Sequence, residues 1–318
     1  MTVLGKAGPR AVRREGRSAF FYVLPALITL IVLSFIPIGY TLWIAFTNFD
    51  LYHFFDYHFV GLANFFALFA GPWATSFLPV MIWTFVFAIV TSVVNFLGGL
   101  ILAILLNNRK LGWSGSLYRS LLIVPWALPS TITILVWSGI LNRSFGALDV
   151  ILKGIGLPSI PWLTSIPQAY LAILLVNFWL GFPFFMVSLL GALQSISTDL
   201  YEAAQLDGAT VLEQHRYITA PLLLQFSAPL LLGTFAYNLN NFGVIYLLTG
   251  GGPSRVSTQF AGHTDVISSF IYSMTLTYQR YGLASAAGVV LFIIVGAFSL
   301  IQMRAFGVFG SKPRRGGN

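Results

Sequence analysis

Residues Asp199-Leu200-Tyr201-Glu202-Ala203-Ala204-Gln205-Leu206-Asp207-Gly208-Ala209, followed by Ile218-Thr219-Ala220-Pro221, form a polar island between two long apolar runs. Asp199 followed three positions later by Glu202 predicts a capping-box-like start, in which side chains satisfy the free amides of a first helical turn. Ala203 and Ala204 favour helix, and Gly208 is a natural stop because glycine enters left-handed backbone without penalty. A second short helix then runs toward Pro221, which opens the next apolar run where its missing N–H costs least.

The rest of the chain is built for lipid. Its 318 residues are 57% hydrophobic and 8% charged, with a mean hydropathy of +0.83, too apolar for a water-soluble domain. A bilayer core of about 30 Å needs about 20 apolar residues in a helix. Six stretches without Asp, Glu, Lys, Arg or His meet that length: Phe20 to Phe46, Leu78 to Leu106, Ser120 to Leu141, Ala169 to Leu193, Leu222 to Leu248 and Gly282 to Ile301. The expected fold is therefore all-α, a polytopic membrane protein with six transmembrane helices. The first run follows Arg10, Arg13, Arg14 and Arg17 but is too long for a signal peptide and lacks a small-residue cleavage site, so it reads as a retained helix. The organisation expected is a basic segment over 1–19, a membrane domain over 20–304 carrying the polar loop 197–221, and a basic tail over 305–318.

Charge sets the orientation. With the N-terminus inside, thirteen of the 17 Lys and Arg residues fall on the inner side: Lys6, Arg10, Arg13, Arg14, Arg17, Arg109, Lys110, Arg119, Arg216, Arg304, Lys312, Arg314 and Arg315. Arg143, Lys153, Arg255 and Arg280 remain outside, the bias expected when both termini face the cytoplasm. The net charge of +8 is thus explained by the membrane surface and not by nucleic acid. Trp73, Trp83, Trp113 and Tyr118, near the ends of spans, suit interfacial anchoring.

Several chemistries are excluded or disfavoured. The chain has no cysteine, so disulfides and thiolate chemistry are absent. Its only Gly-Lys pair, Gly5-Lys6, is followed by Ala7 and cannot be a phosphate-binding loop. Nucleotide hydrolysis must come from another chain, with no cofactor bound here. His53, His58, His215 and His263 are expected in loops, without triad or metal-ligand spacing. An ion-coupled secondary transporter is the alternative from another class, and the uncharged spans disfavour it because such carriers usually bury ionisable groups.

The fifth run holds Thr234, Tyr237, Asn238, Asn240 and Asn241, a high density of polar groups for membrane depth. Thr234, Tyr237, Asn238 and Asn241 follow the i, i+3, i+4, i+7 pattern and are expected on one helical face, with Asn240 elsewhere. Such a face suits an uncharged sugar, since amides both donate and accept and an aromatic ring covers a pyranose; helix-to-helix glue is an equally open use. In the fourth run, Trp179-Leu180-Gly181-Phe182-Pro183-Phe184 either interrupts the helix beside a cavity or only kinks it. Pro125 and Pro129 do likewise in the third, exposing Ser130 and Thr133.

The polar island resembles the cytoplasmic loop of ATP-binding-cassette import permeases: Glu-Ala-Ala, three residues, Gly, nine residues, Ile, one residue, then Leu-Pro. Glu202, Ala203, Ala204, Gly208, Ile218 and Pro221 fall in register, and Ala220 stands where the family usually has Leu. The resemblance implies a type I permease fold and a coupling helix that docks on an ATP-hydrolysing subunit through Glu202, Ala203, Ala204, Asp207 and Gly208.

Tyr237-Asn238-Leu239-Asn240-Asn241-Phe242, Leu247-Leu248-Thr249-Gly250-Gly251-Gly252-Pro253 and Ala261-Gly262-His263-Thr264-Asp265 further resemble the larger membrane subunit of maltose and maltodextrin importers. That resemblance implies a sugar site at Leu180, Gly181, Phe184, Thr234, Tyr237, Asn238 and Asn241, with Phe184 where the best-known members have Tyr. It also implies a homologous second permease subunit, two ATP-binding subunits using ATP and Mg, and an extracytoplasmic sugar-binding protein touching loops such as 250–281. All would work in the cytoplasmic membrane by alternating access. Related permeases carry other oligosaccharides, trehalose or glycerol phosphate, and the uncharged spans disfavour the phosphorylated cargo.

Overall fold

The computed structural model describes the backbone of residues 9–107, 112–256, 258 and 260–305, and the side chains of those between 20 and 304. The expected inner-side residues Lys6, Arg109, Lys110, Lys312, Arg314 and Arg315 lie outside the described residues, as do the side chains of Arg10, Arg13, Arg14 and Arg17.

Helices dominate, as the apolar runs require. The first span comprises α1 (Pro9–Leu30), a π-helical turn (Ile31–Phe35) and α2 (Ile36–Ala45). Its backbone is helical from Pro9, earlier than the start of the apolar run. None of its most apolar window is buried against the chain, which leaves that surface to lipid or to another subunit. After α3 (Ala63–Phe69) come the second span, α4 (Ala74–Leu106), and a pair of helices, α5 (Gly112–Ala127) and α6 (Ser130–Ile140). A short α7 (Ala147–Gly154) leads to the fourth span, α8 (Ile166–Ser195).

The polar loop folds as α9 (Thr198–Leu206) and α10 (Val211–Gln214), and a second π-helical turn (His215–Thr219) joins α10 to α11 (Ala220–Leu239). Next are α12 (Gly243–Thr249), α13 (Ile267–Leu276) and the last span, α14 (Tyr281–Ala305). Among the described residues, five helices are long and apolar enough to cross a membrane, and the α5–α6 pair, bent by 92°, makes a sixth span if taken as one. The protein is thus the expected all-α membrane fold; the third run is divided, the fourth is continuous and the fifth stops short.

The third run is not one helix. Pro129 takes an extended conformation as the residue before α6, and proline also drives its predecessor Leu128 out of helical geometry. By contrast α8 passes unbroken through Pro183, correcting the interruption considered for it. Pro183 and its neighbours Phe182, Phe185 and Met186 are buried, so packing holds the helix across one missing hydrogen bond. The fifth run stops at Leu239 rather than Leu248, with Asn240 as a non-helical end residue at φ −110° and ψ 16°. Asparagine side chains compete for backbone partners at such a point. Asn240 N and Asn241 N donate to the carbonyls of Tyr237 and Asn238, the tight bonding of a last turn.

The centre of the bundle is the α4–α8 pair, the most extensive helix contact in the chain. Glycines bring the two axes together. A Cβ on Gly99 would lie 2.5 Å from Phe185 Cβ and 2.7 Å from the Met186 amide, and one on Gly98 would strike the Phe178 ring. In lipid there is no hydrophobic drive to associate helices, and small residues allow the close van der Waals packing that replaces it. Trp83 and Trp73 serve packing more than anchoring: Trp83 Nε1 donates to the Thr264 carbonyl and Trp73 packs on Phe260 at 4.3 Å. Trp113 is 83% exposed.

Gly99→Val should separate α4 from α8 and sharply lower the level of folded protein in the membrane. Gly191→Ala, on α8 with open space around its Cα, should leave it unchanged. Fluorescence-detected size exclusion of the solubilised protein reads both.

Candidate functional site

A cavity of about 1010 Å³ opens between α4, α5, α6, α8 and α11. All seven residues expected at the sugar site line it: Leu180, Gly181 and Phe184 from α8, Thr234, Tyr237 and Asn238 from α11, and Asn241 just beyond. Ser130 lines it too, at the broken span, whereas Thr133 is buried and donates to the Pro129 carbonyl at 3.2 Å. The lining has no ionisable carboxylate, amine or imidazole. It offers amides, hydroxyls and the rings of Trp126, Phe184, Tyr237 and Phe242.

The helical face expected over Thr234 to Asn241 holds only as far as Asn238. Asn241 lies past the end of α11 and returns to the group by a hydrogen bond, its Nδ2 donating to Asn238 Oδ1 at 3.3 Å. Asn238 is buried and donates to Ser92 Oγ on α4, also at 3.3 Å. Thr234 donates to the Leu230 carbonyl of its own helix, and Tyr237 is 71% exposed. Asn240, expected elsewhere, also borders the cavity. Asn238 therefore joins two helices, one of the uses weighed for these amides, and does so at a cavity wall.

The sequence reading missed a polar wall on α4. Thr84, Thr91, Ser92 and Asn95 are all buried, and Asn95 and its partner Asn177 on α8 line the cavity. Their spacing of i, i+7, i+8, i+11 was the available signal, a single polar stripe on a helix. Asn177 likewise stands one turn before Gly181.

The loop between α8 and α11 is an ordered cap. Ser197, not Asp199, caps α9, its side chain accepting from the Asp199 amide. The reciprocal capping box forms one helix later, between Thr210 and Glu213, so the Asp199–Glu202 expectation was placed on the wrong helix. Gly208 has φ +82°, the left-handed conformation expected of the stop. Glu202, Ala203, Asp207 and Gly208 are exposed and Ala204 is half-buried. Leu206 at 90% and Leu212 at 78% exposure extend this surface with apolar area.

The inward side of the loop is tied to the foot of α11. Tyr201 and Thr219 hydroxyls share a bond at 2.8 Å, and Gln214 Nε2 donates to the Ala209 carbonyl at 3.2 Å. His215 contacts Thr219 from within the helical run, not from a loop.

At the opposite end, the 250–281 segment is folded onto the bundle. Arg255 donates to the carbonyls of Gly262 and His263, and Tyr170 of α8 also donates to His263. Asp265 accepts from Ser269 Oγ and the Gly262 amide, both at 2.7 Å. Burial pushes the Asp265 carboxyl above its ordinary value, against those bonds and the Arg255 charge. Asp50, which accepts from Arg280 Nη1 at 2.6 Å, pins the same end. Burial tends to raise the Asp50 carboxyl, but the His53 hydrogen bonds and Arg280 outweigh it and hold it below its ordinary value.

A polar cavity at the middle of membrane-spanning helices, joined through two of them to an exposed loop, is the design of a membrane transport subunit. The chain belongs to the family of binding-protein-dependent transport system inner membrane components, which matches residues 96–308. It is 40% identical over 287 residues to the galactooligosaccharides transport system permease of Bacillus subtilis, an alignment covering 88% of this chain and 68% of that one. With the maltose/maltodextrin transport system permease MalF of Vibrio parahaemolyticus it shares 42% identity over 232 residues, 72% of this chain and 44% of that protein. Its fold matches a chain of a bacterial alginate ABC transporter solved with an alginate pentasaccharide-bound periplasmic protein. There the TM-score is 0.74 and the identity 22%, over 94% of this chain and 96% of that one. The fold is thus that of a type I importer permease, as the loop resemblance implied.

Thr210→Ala removes the hydroxyl that accepts from the Glu213 amide, leaving the bond from the residue 210 amide to the Glu213 carboxylate, and should destabilise the loop by about 1 kcal/mol. Limited proteolysis of the solubilised protein should then cut between α9 and α11 faster than in the native chain, with the spans intact.

Proposed function

We propose that this chain is the membrane-spanning permease subunit of an importer for an uncharged oligosaccharide, powered by ATP hydrolysed in separate partner subunits. The observation that carries the reading is the convergence of Leu180, Gly181, Phe184, Thr234, Tyr237, Asn238 and Asn241 on one cavity free of charged lining. Sugar hydroxyls match amides, which donate and accept, and pyranose faces match aromatic rings. A phosphorylated or uronic cargo would want Arg or Lys in the lining.

Within that class we assign a malto-oligosaccharide as cargo, on the motif run from Tyr237 to Asp265 and the similarity to maltodextrin permeases. The 40% identity to a galactooligosaccharide permease over 88% of the chain supports a second reading, a galactose-based oligosaccharide in the same cavity.

The partners in this reading are a homologous second permease, two ATP-binding subunits that hold ATP and Mg, and an extracytoplasmic sugar-binding protein. Both termini and the 197–221 loop face the cytoplasm. Glu202, Ala203, Ala204, Asp207 and Gly208 dock on an ATP-binding subunit, and the exposed Leu206 and Leu212 give that contact apolar area. ATP-driven closure of the partners displaces the loop, and α8 and α11 carry the displacement to the cavity. The cavity thereby alternates between the two sides of the membrane.

Cells lacking this chain should regain uptake of labelled maltotriose when supplied with the native protein. Asn241→Ala and Gly208→Asp should each lower uptake about tenfold or more at normal membrane levels. The first variant should leave sugar-independent ATP hydrolysis of the assembled complex intact; the second should not. Unchanged maltotriose uptake on deletion, with loss of 1,4-β-galactotriose uptake, would move the cargo to the second reading.

A further inference from the structure

Asn95 sits at the centre of the α4–α8 contact. It is 2% exposed, its Nδ2 donates to Asn177 Oδ1 at 3.1 Å, and its own Oδ1 is buried without a hydrogen-bond partner. A Cβ on Gly181 would collide with the Asn95 amide, so the bare backbone at 181 makes room for this side chain. Asn95, Asn177 and Gly181 all border the cavity. The rest of the α4 stripe has no such open valence: Thr84 and Thr91 donate to the Val80 and Phe87 carbonyls, and Ser92 accepts from Asn238.

A buried amide oxygen without a donor is expensive, and buried polar groups are normally satisfied. The Asn95–Asn177 bond can form in either sense. With both amides turned over, Asn177 Nδ2 donates to Asn95 Oδ1, and the Asn95 NH2 takes the position now held by its unpartnered oxygen. In the observed arrangement Asn177 spends its oxygen on Asn95 and retains its NH2 for a ligand; in the other it spends a proton and retains its oxygen. Each Asn carries both functions, so the exchange needs no change of charge.

We infer that Asn95 is a positioning residue for sugar selection: by bonding to Asn177 in either sense, it determines whether the cavity presents an amide donor or an amide acceptor to a sugar hydroxyl. This deepens the oligosaccharide reading and rests on it. Asn95 acts through Asn177, so its effect on selectivity is confined to that partner.

The test uses the complete importer complex in proteoliposomes, with initial uptake rates of maltotriose and 1,4-β-galactotriose as probes. Asn95→Leu should change the ratio of the two rates, measured on equal amounts of assembled complex, about fivefold or more, the scale of one hydrogen bond. Asn177→Leu should shift the ratio in the same direction, and the double variant should shift it no further than Asn177→Leu alone. An unchanged ratio, both rates falling in parallel, would reduce Asn95 to helix glue and overturn the inference while leaving the oligosaccharide reading intact. Additive shifts in the double variant would also overturn it. A native complex that carries neither sugar would sink the oligosaccharide reading, and this inference with it.

Discussion

The close approach of α4 and α8 is the contact on which the remaining structure depends. Gly98 and Gly99 on one helix and Gly181 on the other remove the side chains that would hold the axes apart. Lipid tails are as apolar as leucine, so burial alone gives little reason for these helices to pair. Dispersion over a close interface supplies the attraction instead, and buried amides add roughly 0.6 kcal/mol each in such settings. The contact also decides the chemistry beside it. Because Gly181 yields its space to Asn95, the two helices meet through amide groups where the cavity begins.

That geometry makes α8 a rod that joins the cavity to the polar loop. Its middle carries Asn177, Leu180, Gly181 and Phe184 into the cavity, and only Ile196 separates its last residue, Ser195, from Ser197, the cap of α9. The other side of the loop is equally direct. From Val211 to Leu239 the helical path is continuous, so the loop and Thr234 stand roughly 35 Å apart on one rod at 1.5 Å per residue. Tyr201, Thr219, Gln214 and Ala209 fasten α9 to the foot of that rod. A push on the loop therefore has two stiff routes to the cavity and no flexible linker to absorb it.

Much of this was legible in the sequence because it depends on local composition. Runs of about 20 apolar residues have few alternatives to a spanning helix, and Gly208 announced its positive φ. The cavity residues of α11 stood out because polar groups are scarce at that depth. What the sequence hid depends on tertiary context. Pro183 reads as a breaker, yet buried neighbours carry α8 through it. Asn241 reads as helical, yet the helix ends at Leu239. Asn95 and Asn177 are 82 positions apart, and no local pattern pairs them. Ser197 displaced Asp199 as cap because two adequate capping residues lay within one turn, and propensity alone does not choose between them.

The absence of charge from the cavity lining bears on where the work of transport is done. An ionisable group at membrane depth costs several kcal/mol and is retained where a proton or ion must be carried. With amides and rings in that place, the described lining offers hydrogen-bonding groups suited to a neutral ligand and no carboxylate, amine or imidazole through which a proton gradient would act on it. In the proposed function, directional movement is imposed mechanically from outside the cavity. The 197–221 loop fits that need: it is exposed, capped at both of its helices, and bonded to the rod that bears Thr234 and Asn238. Neutral recognition at mid-helix and a stiff exposed loop at the helix feet are thus two halves of one physical requirement.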